Sequence, residues 1–396
     1  MSTYLFNQYN PSIYQKHIKD KTIQPTFRLS MLYKTEEFRE DITDYLILGN
    51  GSLSINYNQG QRRSLNFSLN NSDGRFTPSG TSSIWLDTKF KLELGICLSN
   101  GDTVYHSAGI FVISTPQAKH SLSEAVIELT CVDKFALLDG TLGGTLETTY
   151  LIKEGTSIKR AMQSMLFLDN GNGVPIDVKP LIFDTNYSDA KTTYMLTKDA
   201  NDSIGNMLID LANMIACDIW YDVNGNLTVR SGVQNVSHVT KPVLWDYDSE
   251  EAEYLSSTTT YEFSKVKNSV TVVGANANGE NVYVAVAENT NPYSPTRINK
   301  IGRRVLYISD SNIYNLDLAN QRARYELNKI SILENTITIE STYMIHLDVN
   351  NCISLTDPNL VFSDERFIIQ SISIPLSVDS KISIQCTNIA TLPYYT

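Results

Sequence analysis

A two-residue alternation of apolar and polar side chains recurs through the first third of this chain, with no helical pattern between the runs. Between residues 31 and 135, five or six such runs are bounded by turn sequences, as at 58–60 and 71–74. Because successive side chains of a strand point to opposite faces of a sheet, the runs predict short antiparallel strands that form a barrel or sandwich. The apolar members of the runs are Leu53, Ile55, Tyr57, Leu65, Phe67, Leu69, Phe90, Leu92, Leu94, Ile96, Ile110, Val112, Ala125, Ile127, Leu129 and Cys131.

The pattern changes to that of helices between residues 140 and 232. Apolar residues spaced three and four apart predict one helix that follows Thr156 as its N-cap, and a second that begins at Asp202 or Ser203. Alternating runs on either side of the Asn-Gly turn at 222–226 predict a β-hairpin. This stretch is therefore predicted to be a small α+β insert.

Alternating runs return from Val243 onward, with one helix predicted at 316–329. The run at 345–349 places His346 on a strand, with its side chain toward solvent or an interface. The predicted fold class is mostly β (α+β), with two β-barrel domains and the insert between them. The predicted domains are an N-terminal arm at 1–30, a first β-barrel at 31–139, the α+β insert at 140–232 and a second β-barrel with one internal helix at 233–396.

The composition is that of a globular, acidic and lightly charged chain. Apolar residues make up 42% of the 396 residues, which is enough for several hydrophobic cores and excludes a disordered chain. The 32 Lys and Arg residues against 43 Asp and Glu give a net charge of −11, which argues against tight binding to phosphate backbones or anionic lipid. No apolar run is long enough to span a bilayer and no signal-peptide pattern occurs, so no membrane anchor is expected.

The cysteines do not suggest a disulfide framework or a metal site. There are five, they are widely spaced, and no two of them have CxxC or metal-knuckle spacing. Most lie among apolar residues, so they are predicted to be buried, reduced thiols. The five are Cys97, Cys131, Cys217, Cys352 and Cys386.

No arrangement of residues predicts catalysis, a cofactor or a bound metal. The five histidines include no pair at ligand or triad spacing, and no nucleophile-elbow, zinc-protease, P-loop or dinucleotide motif occurs. The glycine-rich stretch at 140–145 is interpreted as a linker, and the acidic run at 246–253 as a solvated face. The Asp/Asn turns at 169–173 and 222–226 lack the glutamate that closes an EF-hand loop, which argues against calcium. The sequence therefore favours a structural or binding protein.

Six segments, taken in order, carry a resemblance to a known family. They are LNNSDGRFTP at 69–78, IWLDTKFKL at 84–92, GIFVI at 109–113, VTVVG at 270–274, IGRR at 301–304 and FIIQSISIPL at 367–376. In this order, the chain from about residue 30 to residue 390 resembles the tail hub proteins of bacteriophages and phage-like particles. In that family each of the two β regions is a tube-type domain. The motifs are structural, and their order and the domain layout carry the resemblance.

The resemblance implies a trimeric hub with no enzymatic activity. Each chain of such a hub gives two similar barrels to a ring, so that three chains present a pseudo-sixfold surface to the tail tube and a threefold surface to the spike or tip. The implied partners are the chain itself as a homotrimer, the tail tube or distal tail protein, the central spike and other baseplate proteins. DNA would pass through the channel without specific binding. The implied location is the baseplate of a virion tail, assembled in the host cytoplasm.

Two other functions remain open at this point. A glycan- or receptor-binding tail adhesin would also be rich in strands and tyrosine, and it would expose aromatic residues in a groove. A cell-wall hydrolase component of the tail tip would need an acid/base pair, which the sequence does not show. No peptidase or lysozyme module follows the final predicted strand, which favours a contractile tail or tailocin over a flexible tail.

Overall fold

The mostly-β class is confirmed in the computed structural model, where strands from both ends of the chain form one large sheet. The predicted N-terminal arm lies outside the described residues up to residue 23, and its last seven residues belong to the first strand. The structure describes residues 24–79, 82–86, 88–97, 101–122, 124–168, 175–185, 187–215, 217–231, 241–261, 263–275, 282–310, 313, 315–331 and 335–388.

The described residues form strands and helices in the order that the alternating and helical patterns predict. The strands are β1 Gln24–Leu32, β2 Phe38–Asp41, β3 Leu46–Asn56, β4 Arg63–Asn70, β5 Lys89–Cys97, β6 Thr103–His120, β7 Ala125–Asp133, β8 Tyr150–Ile152, β9 Ile182–Asp184, β10 Leu196–Lys198, β11 Cys217–Tyr221, β12 Leu227–Ser231, β13 Val243–Asp248, β14 Tyr254–Tyr261, β15 Ser269–Ala275, β16 Val282–Glu288, β17 Val305–Ser309, β18 Asn335–Ser341, β19 Cys352–Asp357, β20 Phe362–Pro375 and β21 Ile382–Asn388. The helices are α1 Ile158–Leu166, α2 Ile204–Met214, α3 Ile298–Ile301 and α4 Leu316–Ile330.

The main sheet joins the two regions that the sequence predicts as separate barrels. Its 13 strands follow the order β14-β18-β21-β20-β3-β4-β7-β6-β5-β1-β2, and β13 and β19 branch from β20. The junction is the antiparallel pair β20–β3, in which Ser371 lies opposite Asn56 and Pro375 opposite Ser52. Among the described strands neither region closes into a barrel of its own, because the edge of β20 that such a barrel would need is hydrogen-bonded to β3 of the other region.

Two sets of four strands repeat the same arrangement within this sheet. The sets are β14-β18-β21-β20 and β3-β4-β7-β6, and all neighbours within each set are antiparallel. Each set ends on a long strand, and the register of that strand with its neighbour in the set shifts at one place, between Ile113 and Thr115 in β6 against β7 and between Ile369 and Ser371 in β20 against β21. A short strand, β5 or β19, pairs with the first part of the long strand, and β1 or β13 pairs with the short strand. The two sets and their short strands therefore share one topology, whereas the outer strands differ, because β1 is antiparallel to β5 and β13 is parallel to β19.

A single hydrophobic core lies under both sets. Phe67 of β4 and Ile339 of β18 belong to this core and are almost fully buried. Alternation explains why these residues face inward, because the side chains between them along each strand are polar and point to the other face. The shared core makes the two sets one structural unit.

The insert has its own core, and most of its predicted elements are confirmed. Helix α1 is capped by Ser157, not by Thr156, because the Ser157 hydroxyl accepts the N–H of Arg160. Helix α2 is capped by Ser203, one of the two predicted residues. The predicted hairpin is β11–β12. A third strand, β9, pairs parallel to β12 and is too short to show an alternation in the sequence.

A second small α+β unit lies between β14 and β18. Strands β16-β15-β17 form its sheet, and α4 packs on one face through Ala319, Ala323 and Leu327. The helix agrees with the one predicted at 316–329, whereas the strand predicted to start at Val266 begins at Ser269. The Asp/Asn turn predicted at 169–173 lies outside the described residues, and so does the turn that the sequence predicts at 275–279, apart from Ala275, which ends β15.

The strand predicted at 345–349 is wrong. Residues 342–351 cross the core as an irregular segment, and Ile345, Leu347 and Val349 are all buried. His346 is also buried, at 5% exposure, instead of facing solvent. The alternating pattern did not predict a strand correctly here because none of the described strands forms hydrogen-bonded pairs with this segment. Without a sheet to define an inner and an outer face, side chains on both sides of the segment contact the core.

Candidate functional site

The face of the main sheet opposite the core is lined almost throughout by small uncharged polar side chains. Directly opposed residues of adjacent strands share a face, so the strand register identifies its members. The register also places the apolar Ile47, Val112 and Ile368 on this side, opposite Ser68, Val132 and Thr387. We name this surface the polar face. Its members are Ser256, Thr258 and Thr260 of β14; Thr336, Thr338 and Glu340 of β18; Ser383, Gln385 and Thr387 of β21; Ser371, Ser373 and Pro375 of β20; Ser52, Ser54 and Asn56 of β3; Ser64, Asn66, Ser68 and Asn70 of β4; Val126, Glu128, Thr130 and Val132 of β7; and Thr115, Gln117 and Lys119 of β6.

The few charges of the polar face are held in ion pairs. Glu128 accepts a hydrogen bond from Lys119 at 2.6 Å. Glu340 is paired with Lys381, and this contact lowers the pKa of Glu340. The net charge of −11 therefore lies elsewhere on the molecule, and the polar face presents hydroxyl and amide groups rather than a charged surface.

At each side of the eight-strand band β14-β18-β21-β20-β3-β4-β7-β6, one stretch of strand is paired on one side only; β2 and β13 are further edges of the main sheet that lie outside this band. Strand β14 pairs with β18 and has no second neighbour among the described strands. From Ser114 to His120, β6 pairs with β7 alone, because β5 pairs only with the first part of β6 up to Val112. All seven residues of this second stretch are exposed. The eight-strand band of the polar face thus ends on a free edge at each side.

Both α+β units lie at the same end of this band. Six antiparallel steps separate β14 from β7 in the sheet, so these two strands run in the same direction. The second unit follows the end of β14 at Tyr261, and the insert follows the end of β7 at Asp133. The opposite end carries the tight connections at 121–124 and 376–381. The molecule therefore has one end with projecting units and one end formed by turns.

Adjacent arginines attach the insert to the main sheet. The Arg62 guanidinium lies 4.0 Å from the ring centroid of Trp220 and 4.8 Å from that of Tyr57, and its Nη2 is 3.6 Å from Asp218. Burial lowers the pKa of Arg62, and the Asp218 carboxylate opposes this shift. Cation–π contact and the ion pair together replace the water that the guanidinium loses.

Arg63 connects three parts of the chain. Its Nη1 donates to the carbonyl of Tyr221 in the insert at 2.9 Å, and its Nη2 donates to Asp348 in the second β region at 2.5 Å. The Asp133 carboxylate, at the end of β7, accepts the backbone N–H groups of Arg62 and Arg63 at 2.7 and 2.8 Å. The insert is thereby fixed in orientation relative to both β regions.

A buried lysine completes this attachment. Lys134 is fully buried and contacts Glu36 at 2.5 Å and Asp177 of the insert at 2.7 Å. Burial raises the pKa of Glu36, but the ammonium groups of Lys134 and Lys89 outweigh that effect, so its pKa is lowered overall. Tyr221 donates its hydroxyl to Asp177 at 2.6 Å. Each of these two carboxylates is thus engaged by cations or a hydroxyl, and the cluster holds the insert against the main sheet.

A cavity of about 640 Å³ lies between the insert and strands β1, β2 and β5. Two of its three carboxylates are in ion pairs: Glu93 with Arg28 at 3.4 Å and with Lys91 at 2.8 Å, and Glu36 with Lys179 at 3.1 Å. The third, Asp41, accepts the backbone N–H of Thr43 at 2.9 Å. An arrangement of this kind stabilises the walls of the cavity, and it is unlike the separated carboxylates that a glycosidase uses.

The residues singled out in the sequence do not come together in one place. The acidic run is only partly a solvated face, because Glu253 is 1% exposed and Asp246 accepts a hydrogen bond from Ser354 at 2.5 Å. The glycine-rich stretch forms a turn in which the N–H of Gly140 donates to Gly143 at 2.8 Å.

The described residues place no metal ligands or membrane helix beside the polar face. Four of the five cysteines are buried and all five are free thiols, with Cys97 partly exposed. In the part of the chain that the structure describes, no group of three His, Cys, Asp or Glu side chains is arranged to hold a metal. No helix there combines the length and the apolarity needed to cross a bilayer.

The fold is shared with solved phage tail proteins, although no protein-family profile and no curated protein sequence matches the chain. The tail protein from Neisseria meningitidis MC58 matches with a TM-score of 0.61 at 12% identity, over 91% of this chain and 96% of that chain. The 43 kDa tail protein of prophage MuSo2 from Shewanella oneidensis gives 0.60 at 12% identity, over 92% and 98%. A chain of the lidded Francisella PdpA-VgrG complex gives 0.57 at 10% identity, over 95% and 54%. The resemblance seen in the sequence is therefore confirmed at the level of the fold.

Proposed function

We propose that this chain, which has the fold of phage tail proteins, is the structural hub of a phage tail or tailocin baseplate. Three copies would close into a ring that caps the tail tube, carries the central spike or tip, and leaves a channel for DNA. The observation that supports this proposal most directly is the repeated four-strand set, β14-β18-β21-β20 and β3-β4-β7-β6. A protein that adapts a sixfold tube to a threefold tip needs one surface offered twice by each of three chains.

The two ends of the strand band suit two different partners. At the end away from the α+β units, each set carries a short connection between its last two strands, 121–124 in one set and 376–381 in the other, so three chains would present this feature six times to a tail tube or distal tail protein. At the other end the insert follows one set and the second α+β unit follows the other, so three chains would present a threefold surface. That end is the one we assign to the spike and to other baseplate proteins. The matching chain in the Francisella PdpA-VgrG complex also belongs to a larger assembly.

The polar face suits the wall of a channel. Three bands of eight strands give 24 strands, which at a spacing of about 4.8 Å correspond to a ring roughly 37 Å across between backbones. A duplex that moves through such a ring meets hydroxyl and amide groups and paired charges. Without clusters of lysine or arginine, phosphates release few counterions on contact, so the wall does not retain the DNA.

The two alternative functions are less well supported by the geometry. An adhesin requires aromatic residues gathered in a groove, whereas the exposed aromatic side chains of the described residues are spread over many loops and strands, with one stacked pair, Tyr261 and Phe263, at a centroid distance of 6.5 Å. A hydrolase requires a free acid/base pair, whereas two of the three carboxylates of the cavity beside the insert are in ion pairs, which leaves Asp41 without a carboxylate partner of its own there. We therefore propose a non-enzymatic role in the virion tail, after assembly in the host cytoplasm.

The absolute mass of the purified chain tests this proposal. Light scattering is expected to give 133 kDa, three times the chain mass of 44.4 kDa, and negative-stain images of the same peak should show rings with a central opening. A mass of 44.4 kDa that persists when the cognate tail-tube protein is added would contradict the hub. If that monomer also bound purified cell-wall glycan, the adhesin function would be favoured over the hub.

A further inference from the structure

We infer that each junction of the ring is an antiparallel strand pair between Ser114–His120 of β6 in one chain and β14 of the next chain. This inference rests on the proposed ring, and it identifies which strands close the ring and in which register. Its basis is the repetition of topology inside one chain. A second copy of this chain is the occupant of both free edges.

The junction between the two sets inside one chain serves as the template. There, the last part of the long strand β20 pairs with β3, the first strand of the other set. By the common order of the sets, β20 corresponds to β6 and β3 corresponds to β14. The same kind of junction is open at the outer ends of the band, where the last part of β6 and the outer edge of β14 lack neighbours among the described strands. A ring closes when the outer junction repeats the inner one.

The first half of the register follows from the register shifts of the long strands. Ile113 lies opposite Cys131 just before the shift in β6, and Ile369 lies opposite Cys386 just before the shift in β20. Two residues beyond the shift, Gln117 of β6 therefore corresponds to Ser373 of β20.

The second half of the register follows from the strands on the other side of each set. Leu65 lies opposite Cys131, and Ile337 lies opposite Cys386, so Ser64 corresponds to Thr336. Ser54 lies opposite Ser64, and Thr260 lies opposite Thr336. Ser54 therefore corresponds to Thr260. Inside the chain Ser373 lies opposite Ser54. Between chains, Gln117 is therefore expected to lie opposite Thr260, and Lys119 opposite Thr258.

The expected register agrees with the side-chain pattern, which was not used to obtain it. Gln117 and Thr260 both belong to the polar face, so the face would continue across the junction without a break. A shift by one residue would instead bring core-side residues onto that face. The two edges also match in length, with seven exposed residues in β6 and eight residues in β14.

Two residues of the β6 edge are also typical of strands that avoid pairing. Pro116 lacks a backbone N–H, and Lys119 places a charge on the edge, and both features discourage unwanted association. Lys119 is neutralised by Glu128 in the same chain, so its charge does not forbid a neutral partner strand. Pro116 would leave one donor out of the ladder. Cysteine cross-linking distinguishes a β6 edge that pairs with the next chain from a β6 edge that stays exposed to solvent.

Cysteine cross-linking tests the register directly. The variant Gln117→Cys/Thr260→Cys, with Cys97→Ser to remove the partly exposed native thiol, should form covalent trimers on mild oxidation. Directly opposed residues have Cα atoms about 4.5–5.5 Å apart, which is within disulfide reach. In the control Gln117→Cys/Ser256→Cys, the partner is four residues from the expected position, a displacement of about 13 Å along the strand, and no cross-link is expected.

The outcomes separate the junction from the ring. A 133 kDa species that cross-links in neither variant, or only in the control, would overturn the β6–β14 junction and leave the proposed hub intact. A 44.4 kDa species in wild type that persists when the cognate tail-tube protein is added would contradict the ring and the junction together. As a second measurement without cysteines, Thr258→Lys places a cation opposite Lys119 and should weaken trimer association by roughly threefold per junction at low salt, whereas Thr258→Glu should not. Equal association of the two charge variants would also count against the junction.

Discussion

At the scale of single residues, burial changes what His346 does. The sequence places it among alternating apolar residues, where a strand histidine would face outward. In the structure its ring packs against Trp245 at a centroid distance of 5.2 Å within the shared core. Burial is the main cause that lowers the pKa of His346 to about 3, and the nearby His106 adds to the shift. The folded protein therefore keeps this imidazole neutral at pH values where an exposed histidine is charged.

The stability of the protein should depend on pH through this residue. Between pH 6.5 and about 3 the unfolded chain binds a proton at His346 that the folded chain does not, so the free energy of unfolding falls as the pH falls through this window. In wild type the free energy of unfolding falls between pH 7 and pH 5, and His346→Phe should make this fall smaller by about 2 kcal/mol. Urea unfolding at both pH values measures this. The exposed His120→Gln serves as control, and an unchanged pH dependence in His346→Phe would contradict the assignment.

At the scale of elements, the hairpin β11–β12 connects the insert to the main sheet. The backbone carbonyl of Ile219 in β11 accepts a hydrogen bond from the N–H of Gly60, with an N–O distance of 2.8 Å. Its turn contains Gly225, whose φ of 76° lies in the left-handed region and whose added Cβ would be 2.7 Å from Cδ1 of Ile110 in β6. The turn is therefore both a hairpin connection and a packing surface against the sheet.

Two glycine variants with similar backbone angles separate these roles. Gly225→Ala is expected to destabilise the protein by about 2–4 kcal/mol, because it adds steric overlap with Ile110 to the backbone cost. Gly74 has a φ of 73°, and a Cβ added there would have no atom within 4 Å. Gly74→Ala therefore carries only the backbone cost of about 1–2 kcal/mol. Chemical unfolding of both variants measures the difference. Recovery of part of the loss in Gly225→Ala/Ile110→Ala would support the packing role, and equal losses in the two single variants would contradict it.

At the scale of the whole molecule, the arrangement of charge matters more than its total. The chain carries a net charge of −11, yet the polar face has only a few charged residues, and these are in ion pairs. A channel lined by an acidic surface would repel DNA, and one lined by a basic surface would retain it. A neutral hydroxyl surface does neither, which suits passage.

Arginines on the polar face should create DNA binding that the wild type lacks. Thr338→Arg/Ser54→Arg adds two cations on separate strands of the face. This variant should bind duplex DNA at 50 mM salt and lose most of that binding at 200 mM, because its contacts release counterions. Fluorescence anisotropy with labelled duplex measures this, and Thr338→Gln/Ser54→Gln is the neutral control. Strong salt-dependent binding by wild type itself would contradict the assignment of the face.

The sequence by itself determined the elements. Alternation identified many of the strands of both β regions, because each such strand has one buried and one polar face, and the spacing of apolar residues located α1, α2 and α4. Of the predicted caps, Ser203 of α2 is confirmed and Thr156 of α1 is wrong. The order of the six family-like segments predicted the class of fold that the solved tail proteins share.

Only the tertiary structure decided which strands are neighbours. Alternation tells which side chains of a strand point inward, but it does not tell which strand lies beside it, so the joining of both regions through β20 and β3 was not visible. The polar face was hidden for the same reason, because serine and threonine at alternate positions look like ordinary surface residues until eight strands place them side by side. His346 was missed because a segment without a ladder can bury both of its faces. These features depend on contacts between residues far apart in the chain, which a local pattern cannot encode.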